Sequence, residues 1–247
     1  SSAASDVYKR QIHDDINDHS EYRRGKLCLY KQYCVRKSLI IGDMLLIKAI
    51  GLIKDCLEPF VSSTTLFASD LASSEFEQFN NQHNTDISEK EYFHIISGKT
   101  AIFISNCAKS GPILANAPVS QIEAMESFGM QYGIGFQVVD DLIDITGSLE
   151  QSGKTVQNDM EKGTITLPVI IAMKDPQIGE DVRHMIDSSD DLDRIIEKIK
   201  ETDAIEQCNG IIRQYSESAK DALMMIPRSI FRDALEMLVD ESMQRNN

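Results

Sequence analysis

Gly133-Ile134-Gly135-Phe136-Gln137-Val138-Val139-Asp140-Asp141-Leu142-Ile143-Asp144 sets three carboxylates, at i, i+1 and i+4, into an otherwise apolar run. On a helix, residues three and four apart share a face, so Asp140 and Asp141 both lie beside Asp144, with Gln137 one turn earlier. Carboxylates gathered on an apolar surround repel one another and lose solvation, which is costly unless cations neutralise them. An oxygen-only set suits a hard ion, Mg²⁺ first, which keeps waters and shares its shell with substrate phosphates. Taken alone, such a cluster reads equally well as a solvated acidic helix end.

A second copy of the spacing changes that balance. His13-Asp14-Asp15-Ile16-Asn17-Asp18 again places acids at i, i+1 and i+4, and Arg23-Arg24-Gly25-Lys26 follows. An EF-hand loop is excluded, because a loop starting at Asp15 puts Ser20 where the sharp turn needs glycine. Two acidic helix ends would hold metal ions between them, and Arg23, Arg24 and Lys26 would offer phosphate oxygens a cationic wall. Without the acids, the Arg-Arg-Gly-Lys stretch would read as a solvated turn.

The rest of the composition narrows the class. A chain of 247 residues can bury one large core. The formal charge of −14 argues against general nucleic-acid binding, which needs a basic footprint. The cysteines Cys28, Cys34, Cys56, Cys107 and Cys208 form no C-x-x-C pair and are odd in number. That pattern fits reduced thiols in a soluble intracellular protein, of the cytoplasm first and of a mitochondrion or plastid next. Asp43 and Lys48 interrupt the longest apolar run, 38–53, so it is not a membrane span. Residues 1–11 carry no secretory signature.

Helical periodicity runs throughout, with no run of strand alternation and no solenoid repeat. Helices are expected over 35–57, closed by Pro59, and over 63–79. A capping box at Ser88-Glu89-Lys90-Glu91 should open a helix to about Ala115, broken at Asn116-Ala117-Pro118. A second box, Ser120-Gln121-Ile122-Glu123, should open the long helix that carries the acidic stretch and stops near Gly147. Residues 148–162 read as a loop, and helices follow over 165–173, 192–202, 204–225 and 228–244. The expectation is an all-α, single-domain bundle of long antiparallel helices spanning 1–247.

The two acidic stretches, HDDINDHSEYRRGK and GIGFQVVDDLIDITG, resemble the paired aspartate-rich motifs of the trans-isoprenyl diphosphate synthases, especially the long-chain polyprenyl type. The resemblance continues through Gly42-Asp43, Lys99-Thr100, Gly153-Lys154, Asp159 and Gly163-Thr164-Ile165-Thr166-Leu167-Pro168, and so covers His13 to about Met173. It implies the isoprenoid synthase fold, a helix bundle around an apolar cavity. It also implies a Mg²⁺-dependent prenyltransferase that joins isopentenyl diphosphate to an allylic diphosphate, giving a trans-polyprenyl diphosphate for a quinone side chain or another isoprenoid. Asp14, Asp15, Asp18, Asp140, Asp141 and Asp144 would hold three Mg²⁺ ions with the allylic diphosphate. Arg23, Arg24, Lys99 and Lys154 would bind diphosphate, while Thr100 and Gln137 would polarise the cation region beside Lys99. Gln78 is a further residue that could face this site.

Departures from the family pattern are specific. Ser74 stands where glycine is usual, and Thr164 where many relatives carry another phosphate-binding lysine, with Lys162 nearby but out of register. Relatives carry several helices before the first motif, including a Gly-Lys-Arg-type segment for isopentenyl diphosphate. Here thirteen residues precede Asp14, so the expectation is a chain lacking those helices, with 1–11 a non-native or disordered leader. Relatives act as dimers through the helices around 88–115, which implies a homodimer or a hetero-oligomer, with membrane contact limited to product release. Two other classes compete. One is a non-catalytic or regulatory partner subunit of a hetero-oligomeric synthase, which usually degrades the acids retained here. The other is a class I terpene cyclase, which normally carries an Asn/Ser/Glu metal motif in place of a second D-D-x-x-D.

Overall fold

The computed structural model describes residues 12–17, 19–23, 25–53, 58–147, 158–188 and 191–243. Asp18, Arg24, Cys56, Gly153, Lys154 and the leader 1–11 lie outside the described residues. The fold is all-α, and the strands among the described residues are one two-residue pair. The chain divides into two compact units, 1–61 and 62–247.

In the first unit, α1 (12–17) carries Asp14 and Asp15. It ends as the Ser20 N–H donates to the Asp15 carbonyl at 3.0 Å, with His19 turned to φ 52°. β1 (Tyr22–Arg23) then pairs antiparallel with β2 (Lys26–Leu27), Arg23 opposite Lys26. Gly25 sits between them at φ 74°, a left-handed conformation that glycine adopts without penalty. Arg23 and Lys26, two of the residues expected to offer a cationic wall, thus face each other across this small hairpin. α2 (Leu29–Gln32) and α3 (Val35–Ile53) follow.

α4 (Glu58–Asn80) begins one residue before Pro59. Pro59 was expected to close the preceding helix, but it opens the next one, where its missing N–H has no intrahelical partner to lose. The capping box at Ser88 forms as expected. The Ser88 hydroxyl accepts from the Glu91 N–H at 3.2 Å, and the Glu91 carboxylate accepts from the Ser88 N–H at 2.8 Å. It opens α5 (Glu89–Ile96), which runs through a π-helical segment, Ser97–Ala101, into α6 (Ile102–Leu114). Asn116, at φ 51°, breaks the run.

α7 (Val119–Thr146) starts from Pro118, with no side-chain cap. The second capping box does not form, because Ser120 already lies inside the first turn and cannot serve as the residue before it. Of the expected loop at 148–162, residues 158–161 form a short helix, α8 (Asn158–Glu161). α9 (Leu167–Ala172), α10 (Gly179–Asp187), α11 (Leu192–Lys200), α12 (Ala204–Leu223) and α13 (Ile230–Met243) complete the unit. The periodicity had not indicated α10. Only Gly179 and Val182 are buried there, too few to register as an apolar stripe.

α7 is the axis of the second unit, packed against α6 on one flank and α12 on another. Phe128, Tyr132, Ile134, Val138, Leu142 and Ile145 are buried along one broad face, and Gly129 and Gly133 are buried on the flank beside it, as expected for a central element. At Gly133 the approach to the π segment is so close that a Cβ would stand 2.5 Å from Ala101 Cα. This central helix delivers the acidic residues of its last two turns to one end of the core.

Candidate active site

Asp140, Asp141 and Asp144 occupy the C-terminal end of α7, where backbone carbonyls already present partial negative charge. Three carboxylates there run against the helix dipole, so the local sequence is arranged for something cationic rather than for helix stability. The three fall within about 100° of the helix surface but differ in burial. Asp140 is exposed, Asp144 is half-buried, and Asp141 is 3% exposed. Adjacent helical residues point about 100° apart, so when Asp140 looks outward Asp141 is carried into the core.

Buried Asp141 is fully engaged. The Tyr92 hydroxyl donates to its Oδ2 at 2.6 Å, and the Gln137 side-chain amide donates to its Oδ1 at 2.8 Å. Gln137 in turn accepts on Oε1 from the Thr100 hydroxyl at 2.7 Å. Lys99, beside Thr100 in the π segment, donates from Nζ to Gln78 Oε1 at 2.7 Å. Lys99, Gln78, Gln137 and Asp141 line one pocket together with Tyr92, Asp159 and Thr164, and Ile87, Ile95, Ile96 and Ile165 supply its apolar wall. A π-turn is often found at functional positions, and here it is the element from which Lys99 and Thr100 project.

The electrostatics are those of crowded acids. Burial, then the nearby Asp159 carboxylate, push Asp141 up to about 8, against the pull of the Tyr92 and Gln137 hydrogen bonds. Asp159 is pushed up to about 6 by burial and by Asp144, while Lys99 and Lys162 draw it down. The Asp159 N–H also donates to Asp144 Oδ2 at 3.2 Å, tying α8 to the end of α7.

Among the sequence-selected residues of the second unit, Lys99, Thr100, Gln137 and Asp141 therefore come together through hydrogen bonds, and Gln78 joins them. Asp140 and Asp144 stand at the same helix end. In the first unit Asp14 is half-buried, and Asp15, 6% exposed, accepts on Oδ1 from Arg23 Nε at 2.7 Å. Arg23 is thus engaged with an aspartate of the motif. Asp18, Arg24 and Lys154 lie outside the described residues. Tyr92 was missed. It lies two helical turns before Lys99 along α5, on the same apolar stripe, and that spacing was the available signal.

Comparison with known proteins is consistent along the chain. The model of the polyprenyl synthetase family matches residues 11–202. The chain belongs to the polyprenyl synthetase family. Solanesyl-diphosphate synthase 2 of Oryza sativa subsp. japonica is 30% identical over 95% of this chain and 59% of its own length. Heptaprenyl diphosphate synthase component 2 of Bacillus subtilis is 31% identical over 91% of this chain and 65% of its own. The chain therefore spans less than two thirds of the length of these curated relatives. A polyprenyl synthase from Caulobacter crescentus, solved with calcium and isoprenyl diphosphate, superposes with a TM-score of 0.90 over 100% of this chain and 77% of that one, at 27% identity.

In this chain the donor chemistry fits a hard divalent ion. Exposed Asp140, half-buried Asp144 and the perturbed Asp159 are oxygen donors whose mutual repulsion a cation would relieve. Among the described residues, no three acidic, histidine or cysteine side chains converge on one point. No helix among the described residues is long and apolar enough to cross a membrane.

Proposed function

We propose that this chain is a Mg²⁺-dependent prenyltransferase that joins isopentenyl diphosphate to an allylic diphosphate and releases a trans-polyprenyl diphosphate. One observation carries the reading. Acids that repel one another, the Lys99 ammonium and an isoleucine wall meet at a single pocket, the combination needed to hold an anionic head beside a hydrocarbon tail.

Asp140, Asp144 and Asp159 would hold the ions in the second unit, and the aspartates of the first motif are proposed as metal ligands in their own right. Three bound Mg²⁺ ions would supply the positive charge that lets a diphosphate depart. Lys99 binds the allylic diphosphate directly, and Arg24 and Lys154 add cationic contacts. Arg23 and the Tyr92–Gln137 pair hold Asp15 and Asp141 in place. Ile87, Ile95, Ile96 and Ile165 exclude water from the allylic carbon as the carbon–oxygen bond breaks. Thr100 Oγ1 and Gln137 Oε1 place negative ends of dipoles near the developing cation. The double bond of isopentenyl diphosphate then attacks that carbon, and the proton lost from the adduct passes to the released diphosphate.

A homodimer through the helices around 88–115 is the proposed assembly. The Bacillus relative, named as a component, favours one further arrangement, a chain that works beside a second type of subunit. Incubation with Mg²⁺, farnesyl or geranylgeranyl diphosphate and labelled isopentenyl diphosphate tests the reaction, and the mass in solution tests the assembly. Elongated product supports the synthase. A cyclised hydrocarbon would refute it, as would substrates that stay unchanged both for the chain alone and after addition of a second subunit.

A further inference from the structure

Tyr92 lines the pocket but its ring belongs to the core: it is 4% exposed and packs edge-on against Phe93, with ring centroids 5.3 Å apart. A phenylalanine would fill the same apolar space, so packing does not account for the hydroxyl. The hydroxyl donates to Asp141 Oδ2 and thereby leaves Oδ1 as the acceptor for the Gln137 amide. With its NH₂ group turned to Asp141, Gln137 presents Oε1 on the opposite side, where it accepts from the Thr100 hydroxyl. The proton on Thr100 Oγ1 is directed at Gln137, so that oxygen offers only lone pairs to anything else that approaches it.

We propose that Tyr92 is a positioning residue for prenyl transfer, acting through Asp141 to set which way the Gln137 amide and the Thr100 hydroxyl point. The inference rests on the prenyltransferase reading and extends it to a residue whose hydroxyl is engaged by Asp141. Its physical content is the sign of a dipole. A Gln137 amide held by Asp141 offers its carbonyl oxygen, whereas an amide released to flip would offer N–H groups. The first arrangement stabilises positive charge on an allylic carbon, and the second repels it.

The test is a four-protein cycle of wild type, Tyr92→Phe, Gln137→Leu and the double variant. Turnover is measured with Mg²⁺, an allylic diphosphate and isopentenyl diphosphate. Tyr92→Phe is expected to lower kcat by about tenfold or more while the KM for the allylic diphosphate stays within about threefold. In the Gln137→Leu background the same substitution should cost almost nothing, because no amide remains to be oriented. An equal loss in both backgrounds, or a loss confined to KM, overturns the proposal. A wild-type chain that fails to turn over speaks against the prenyltransferase reading instead. The same four proteins then test the network by denaturant unfolding, where coupling between the two substitutions supports it and strict additivity overturns it.

Discussion

Gly133 of α7 and Ala101 of the π segment meet so closely that a Cβ on Gly133 would stand 2.5 Å from Ala101 Cα and 2.9 Å from Ala101 Cβ. The nearest atom is backbone, so it cannot swing aside as a side chain would. Gly133→Ala should therefore destabilise the fold by about 1–3 kcal/mol through overpacking, measured as a shift in the urea midpoint. It should also slow turnover, because the displaced segment carries Lys99 and Thr100. An unchanged midpoint would contradict the contact.

Asp140 and Asp141 are neighbours with opposite surroundings, and their alanine variants should separate. Asp140→Ala removes an exposed carboxylate, so the melting temperature should hold while Mg²⁺-dependent binding of an allylic diphosphate analogue falls by about a hundredfold or more. Asp141→Ala leaves the buried Tyr92 hydroxyl and Gln137 amide without their acceptor, so it should also lower the melting temperature. Calorimetry and circular dichroism on both variants check this, and identical behaviour would refute the division of roles.

Asp141 also predicts a direction of pH dependence in chelator-treated protein. Its folded-state pKa, about 8, lies above the ordinary carboxylate value, so the folded chain binds more protons than the unfolded one in between. That contribution to stability is complete below the unfolded pKa and is lost as pH rises through about 8. Unfolding free energy should fall between roughly pH 5 and 9. Asp141→Asn should flatten the slope, and a slope unchanged in that variant would assign it elsewhere.

Ser88 gives an effect of opposite sign at the acid end. Its hydroxyl and N–H hold the Glu91 carboxyl below the usual range. The stabilisation is therefore present above the unfolded pKa and lost as pH falls through the lower folded value. Ser88→Ala should lower the melting temperature at pH 7 by about 2–4 °C. The difference from wild type should narrow towards pH 3, and turnover should be unchanged.

Thiol labelling should sort the described cysteines by burial. Cys34 and Cys107 are exposed, whereas Cys28 and Cys208 are buried. Burial pushes the Cys28 thiol up to about 11 and the Cys208 thiol up to about 12, so neither supplies thiolate at pH 8. Rapid modification at Cys34, with Cys28 and Cys208 reacting only on unfolding, is the expected mass-spectrometric pattern.

Much of the helical plan was legible because it is written in local chemistry. The Ser88 box, the Asn116 break and the end of α7 at Gly147 depend on a few neighbouring residues, and each forms at the expected position. Pro59 and Ser120 were misread for a related reason. A proline or a serine marks a helix boundary, but which side of the boundary it occupies depends on where the neighbouring chain packs. α10 was hard to see because its fully buried face rests on Gly179 and Val182 alone.

Sequence by itself determined that acids spaced i, i+1 and i+4 would end a long helix one turn beyond Gln137, since helical spacing and charge repulsion are properties of the chain. It also determined the family, through the order of its motifs. Tertiary structure alone decided that Asp141 turns inward to Tyr92 and Gln137 while Asp140 faces out. It likewise decided that Asp159, fifteen residues beyond Asp144, returns to the same end of the core. The reason is burial. Which of two adjacent carboxylates meets water is settled by what packs against the helix, and for Asp141 that packing comes from a tyrosine on another helix, 49 residues away in the chain.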